Sequence, residues 1–314
     1  MKYNAALLLL FFWFGVNTLR GQAPTSADIE HVLVIGIDGL SSAGIRQAAT
    51  PTLDSLVNHG ASTLEAQAVL PTSSSPNWAS MIMGATPDEH TITSNDWETT
   101  DIADTILCGG ETGQLWPTIF RVVREQKPDA DIACFYDWSG FGRLMEDGVA
   151  TMKADTKGED KTAESAAEYW RNHRPTFMFV HLDHVDHAGH SHGWGSAPYH
   201  EAVAKADRLI GHLVESVYQS GIADNTLILI TSDHGGRGTQ HGGDTPEERT
   251  IPWIIAGVGV RSSHVIQRAV QTYDTAATIA YALGYTPPDC WRGTPVTEAF
   301  NTEIGQRKTK NGEM

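Results

Sequence analysis

Two apolar runs constrain this chain most: Val32-Leu33-Val34-Ile35-Gly36-Ile37 near the amino end and Leu227-Ile228-Leu229-Ile230-Thr231 far downstream. Neither alternates apolar with polar residues, the pattern of a strand covered on both faces. Ile132 to Tyr136, Thr176 to Leu182 and Trp253 to Ala256 share their β-branched and aromatic character. Helical signals fall between them. Thr52 to Gly60 places Leu53, Leu56 and Val57 ahead of a terminating glycine, Pro117 to Glu125 opens with a helix-start pattern, and Thr162 to Arg171 is rich in Ala and Glu. Ala202 to Tyr218 and Tyr273 to Leu283 repeat apolar residues at helical spacing. Strands alternating with helices predict an α/β fold, a largely parallel central sheet with helices on both faces.

The first residues carry Lys2, an apolar stretch from Ala5 to Val16 and small residues near Gly21 and Ala23, which reads as a signal peptide over residues 1–22. An uncleaved amino-terminal anchor is the alternative, and both place the body of the chain outside the cytoplasm, periplasmic or extracellular. No later stretch has the roughly 18 apolar residues of a membrane helix, so no stable span is expected once the signal is removed. The rest, about 290 residues, shows no linker or repeat and predicts one domain over 28–302 followed by a polar tail over 303–314. With 22 Lys plus Arg against 38 Asp plus Glu the formal charge is -16, which argues against nucleic acid as a structural partner. A phosphorylated small substrate stays compatible, because bound divalent cations would make the site itself positive. Cys108, Cys134 and Cys290 permit one disulfide among three pairings, and the sequence does not choose between them.

The chemistry sits in four fragments rich in metal-ligand residue types. Asp38 closes the first apolar run, and Asp233-His234 follows the second, so both stand at strand exits where loops converge on a ligand. Asp186 and His190 are four apart after the Thr176 to Leu182 strand and share a face if the segment is helical. That stretch also holds His181, His184, His187 and His192, which a solvated His-rich loop would explain, and Asp183 is a rival ligand. Gly235-Gly236 lets the backbone turn after Asp233-His234, and His241 stands before Gly242-Gly243. The last fragment is Pro71-Thr72-Ser73-Ser74-Ser75-Pro76-Asn77-Trp78, ahead of an apolar run that could start a helix. Beside a divalent metal such a hydroxyl becomes a nucleophile, and helix-start N–H groups with the Asn77 amide could steady phosphoryl oxygens.

The order of these motifs from about His31 to Phe300 resembles the alkaline phosphatase superfamily, specifically its type I phosphodiesterase/nucleotide pyrophosphatase branch. The resemblance rests on Ile37-Asp38-Gly39, the Pro71 to Asn77 loop with Gly84 and Pro87-Asp88-Glu89-His90, Asp186 to Gly193, and Asp233-His234-Gly235 with His241-Gly242-Gly243. It implies an alkaline phosphatase-like fold and two zinc ions, other divalent metals being alternatives. One zinc would be held by Asp186, His190 and His241, the other by Asp38, Asp233, His234 and the oxygen of the nucleophile. Counting back from Pro76-Asn77 places that nucleophile at Ser74, where the family commonly has Thr. The implied reaction is hydrolysis of a phosphate diester or nucleotide-like substrate through a phosphoseryl intermediate.

An alkaline-type phosphomonoesterase is the alternative activity, and a catalytically degenerate secreted binding protein is the alternative outside enzymes. A sulfatase is disfavoured because its precursor motif requires an Arg where Trp78 follows Ser74-Ser75-Pro76-Asn77. Trp78, Trp97 and Trp138 could form an apolar wall suited to the second substituent of a diester. Arg237 is the lone basic residue within the motifs, and Arg143 could reach in from a loop.

Overall fold

The computed structural model describes residues 29–102, 108 and 113–301; the expected signal peptide and the tail over 303–314 lie outside the described residues. Eight strands form one sheet: β1 His31–Ile37, β2 Ala61–Gln67, β3 Ile132–Tyr136, β4 Met152–Asp155, β5 Phe177–Leu182, β6 Thr226–Thr231, β7 Thr250–Gly257 and β8 His264–Val265. Their order is β4-β3-β5-β1-β6-β7-β2-β8. β7 alone runs against its neighbours β6 and β2, and the other pairings are parallel.

The apolar runs form the centre of the sheet because both of their faces are buried. Val32 and Val34 of β1 join a core with Phe177 and Phe179 of β5 and with Trp78, Phe120 and Ala276 from helices on that side. Leu33, Ile35 and Ile37 face the opposite core with Met178, Val180, Trp170, Val203 and Ile210. The two-residue alternation of side chains thus divides each central strand between two helical layers. One layer holds Ser74–Met83, Ile119–Gln126 and Asp274–Leu283; the other holds Pro51–His59, Glu159–His173 and Ala197–Gln219.

Three strands escape the sequence reading. β2 reads ASTLEAQ and contains an exposed glutamate, β4 is a largely exposed edge strand, and β8 has two residues. β7 is also longer than expected, because Pro252 lies within it. Its pairing with β2 jumps from Thr63↔Trp253 to Ala66↔Ile251, so the irregularity falls opposite the proline that lacks an N–H to donate. Cys108 pairs with Cys290, their Cα atoms 5.3 Å apart, while Cys134 is a buried free thiol in β3. Among the described residues no helix is long and apolar enough to cross a membrane.

Candidate active site

Asp38 directly follows β1, Asp186 and His190 lie on the helix His184–His192 just past β5, and Asp233-His234 stand just past β6. His241 lies on the connection into β7, and Ser74 is the first residue of the helix Ser74–Met83 after β2. Because β1, β2, β5 and β6 run in one direction, these positions meet at the carboxyl edge of the sheet. Ser74 Oγ is 3.3 Å from His234 Nε2. That nitrogen is 3.4 Å from Asp38 Oδ1 and 3.2 Å from Asp233 Oδ2. Alongside, Asp186 lies 3.4 Å from His190 Nε2 and 3.6 Å from His241 Nε2. The two groups adjoin, since the His234 and His241 rings stack with centroids 3.8 Å apart. All the residues expected to hold metal are therefore in one cluster, and within it the ligand atoms of Asp186, His190 and His241 lie within 4.8 Å of one another.

Each imidazole is oriented by a backbone carbonyl. Nδ1 of His190 meets Thr239 O at 2.9 Å, Nδ1 of His234 meets Gly235 O at 2.8 Å, and Nδ1 of His241 meets Thr72 O at 2.8 Å. A carbonyl only accepts, so Nδ1 carries the proton in all three, and in the neutral ring Nε2 presents a lone pair to the cluster. Burial, reinforced by nearby His241 and opposed by Asp38, holds His234 at about 3, and burial likewise lowers His241. Lone pairs and carboxylate oxygens thus face each other, and Asp38 Oδ1, Asp186 Oδ1 and Asp233 Oδ2 are buried without a hydrogen-bond donor. Buried acceptors with no donor between them are what divalent cations would reconcile, and an Asp/His donor set suits zinc and its neighbours.

The carboxylates show the same need. Burial, with Asp38 and Asp183 adding repulsion, raises Asp186 to about 9, and burial with Asp38 and Asp186 raises Asp233 well above the usual range. Burial also acts on Asp38, but His181, His234 and the Trp78 indole outweigh it and hold that carboxyl at about 2. The chain alone does not keep all these acids ionised; cations in the cluster would.

Asn77 and Trp78 are placed differently from the sequence expectation. The Asn77 amide faces the backbone of its own loop: its oxygen accepts from Val69 N at 2.7 Å, and its NH2 reaches the carbonyls of Val69, Pro71 and Ser73. It therefore fastens the Pro71 to Asn77 loop and has no free N–H for a phosphoryl oxygen. Asn77→Ala is expected to cost about 1–3 kcal/mol for the stranded Val69 N–H alone, read as a lowered denaturant midpoint. At the helix start, Asn95 Oδ1 accepts from Ser75 N at 2.8 Å. Sequence reasoning missed Asn95 because an Asn in a loop carries no spacing signal.

Trp78 is no wall. It is fully buried, and its Nε1 donates to Asp38 Oδ2 at 2.9 Å. The indole lies against β1 because position 36 is glycine; a Cβ there would sit 2.6 Å from the ring. Trp97 is buried too, whereas Trp138 keeps an exposed part. Arg143 is engaged by Glu98 at 2.6 Å and by the Asn95 carbonyl, and Arg237 is exposed. Asp183 lies close to Asp38 and His181, and the exposed His187 and His192 belong to none of the metal-competent groups among the described residues.

Comparison with known structures places this architecture among alkaline phosphatase-like folds. A substituted form of the alkaline phosphatase PafA superposes with a TM-score of 0.72 at 10% identity, covering 90% of this chain and 100% of that one. Murine ectonucleotide pyrophosphatase/phosphodiesterase 5, inactive and in complex with AMP, gives 0.71 at 14% identity over 87% and 100% of the two chains. The sequence profile of the type I phosphodiesterase/nucleotide pyrophosphatase family matches residues 32–248, and the chain belongs to that family. Mouse ectonucleotide pyrophosphatase/phosphodiesterase family member 1 is 23% identical over 229 residues, 68% of this chain. The match spans 25% of that relative's length.

Proposed function

We propose that this protein is an exported two-zinc phosphoric ester hydrolase that cleaves phosphodiester or nucleotide pyrophosphate bonds through a phosphoseryl intermediate on Ser74. The observation that carries the reading is the position of Ser74 Oγ, 3.3 Å from His234 Nε2 at the junction of the two donor groups. Asp186, His190 and His241 would hold one ion, and Asp38, Asp233, His234 and Ser74 the other. When bound, such ions supply Lewis-acid polarisation of the substrate and lower the pKa of coordinated hydroxyl groups.

The chain's own groups supply the rest. Ser74 Oγ forms the new bond to phosphorus as the bond to the leaving oxygen breaks, the hydroxyl proton ending on that oxygen; water then adds to phosphorus, and Ser74 departs with one of the water protons on Oγ. At the start of the Ser74–Met83 helix the Ser75 N–H is taken by Asn95, Pro76 has none and the Asn77 N–H bonds Ser73 O, so the Ser74 N–H is the helix-start donor that would serve a nonbridging oxygen. A diester is favoured over a dianionic monoester because Arg143 is tied to Glu98 and the Asn95 carbonyl. Nucleotide-like substrates are supported by family membership and by the AMP complex of the murine neighbour. Export is supported by the apolar amino-terminal stretch and by the Cys108–Cys290 bridge, which persists in oxidising compartments.

The test is one panel of bis-p-nitrophenyl phosphate, p-nitrophenyl phosphate, a nucleotide pyrophosphate and p-nitrophenyl sulfate, each with chelation and zinc restoration. The diester and the pyrophosphate should be cleaved best, with activity lost to chelator and regained with zinc. Preference for the monoester would replace the reading with a phosphomonoesterase, and stoichiometric zinc without turnover would support a binding protein.

A further inference from the structure

His181 is the last residue but one of the otherwise apolar β5, fully buried, where a polar ring is costly unless it is paired. Its Nε2 is 3.3 Å from Asp38 Oδ2 and its Nδ1 is 3.4 Å from Asp137 Oδ1. Nε2 donates to Asp38 Oδ2, a carboxylate oxygen that only accepts, while Nδ1 faces Asp137 Oδ1 at contact distance without making a hydrogen bond. Asp137, just past β3, is itself oriented, because its Oδ1 also accepts from Asp183 N at 2.9 Å. The ring is enclosed by Trp78, with centroids 4.9 Å apart, and Phe141 at 5.0 Å, which leaves it little freedom to rotate. Trp78 Nε1 converges on the same Asp38 oxygen at 2.9 Å. The two oxygens of Asp38 are thereby distinguished: Oδ2 takes both donors, while Oδ1 has none and faces His234.

We propose that His181, backed by Asp137 and assisted by Trp78, is a positioning residue that assigns Asp38 Oδ1 to the metal held with Asp233 and His234. The proposal rests on the two-metal reading above. Its particular consequence is asymmetric, because the contacts reach Asp38, whereas Asp186, His190 and His241 are oriented by other groups. Outer-layer partners of this kind govern metal affinity by about 10–100-fold.

The experiment is titration of metal-stripped protein with chelator-buffered zinc, with Co2+ absorption reporting the geometry of each site. Wild type should bind two equivalents. His181→Ala should keep one equivalent at wild-type affinity and weaken the other about 10–100-fold. His181→Gln, which restores a donor toward Asp38, should recover most of the loss. If His181→Ala does not fold, Trp78→Phe and Asp137→Asn test the same arrangement, each weakening one equivalent to a smaller degree. Two equivalents at wild-type affinity in these variants, or equal weakening of both, would overturn the proposal while leaving the two-metal reading intact. Wild-type protein that takes up no zinc would overturn that reading and this one with it.

Discussion

Exchange of Ser74 for alanine is expected to lower phosphodiester turnover by on the order of 10^4-fold or more, with both metals still taken up. The loop offers several hydroxyls, and the structure separates them. Thr72 Oγ1 donates to Gly243 O at 2.7 Å and accepts from Gly242 N at 3.0 Å, so it ties the loop to the segment carrying His241. Ser75 Oγ is buried without a partner, and its backbone N–H is taken by Asn95. Ser74 is the hydroxyl that meets His234. Losing it removes the attacking oxygen, and no phosphoenzyme should then be trapped at low pH from the alanine variant. Zinc stoichiometry should survive because Asp38, Asp233 and His234 remain. Ser74→Thr, which keeps a hydroxyl, should retain turnover within about 10-fold. Full turnover by the alanine variant would move the nucleophile elsewhere.

The candidate metal-ligating residues were legible in the sequence because strand exits are marked by the apolar runs that precede them. Asp38 after Ile37 and Asp233 after Ser232 need no knowledge of packing to be placed at one edge of a parallel sheet. Asp186 and His190 were legible for a similar reason, since a spacing of four fixes a shared face once the segment is helical. What was not legible is the layer behind the ligands. Trp78 looks like a substrate-facing aromatic in sequence and proves to be a donor to Asp38, because Gly36 opens the space that its ring fills. Asn77 sits close to Ser74 in sequence, yet its amide turns inward to the loop. Asn95 comes from a separate segment and joins the helix start only through folding. His181 did leave a signal: a lone histidine inside Phe177-Met178-Phe179-Val180-His181-Leu182, a run otherwise fit for burial on both faces. Its neighbours His184, His187 and His192 made it look like part of a solvated loop. β2 and β4 were unreadable because strands toward a sheet margin carry polar residues that local pattern cannot distinguish from a loop.

Removal of the metals is expected to destabilise the protein most at alkaline pH, a consequence of the crowding of carboxylates around Asp38. Without cations, burial together with Asp38 and Asp183 raises Asp186 from 3.8 to about 9. His181 is also raised, from 6.5 to about 10: burial opposes its charge, but Asp137 and Asp38 prevail. A group whose folded pKa exceeds its unfolded value contributes stability that is complete below the unfolded value and is lost as pH rises through the folded one. Between pH 6.5 and 9 the unfolded chain has released both protons, while the folded, metal-free chain still holds them. Stability therefore falls with rising pH in that window, by up to about 1.4 kcal/mol per pH unit for each extra proton held. The opposing groups act elsewhere. His234, lowered from 6.5 to about 3, and Asp38, lowered from 3.8 to about 2, withdraw stability only as pH falls below those unfolded values. Bound zinc would keep Asp186 and Asp233 ionised without cost from repulsion, so the loaded protein should keep at most the His181 part of the alkaline slope. Thermal unfolding of chelator-treated and zinc-loaded protein from pH 6.5 to 9 reads this directly: the two melting temperatures should diverge as pH rises. Parallel curves would mean that these acids are not held together by metal.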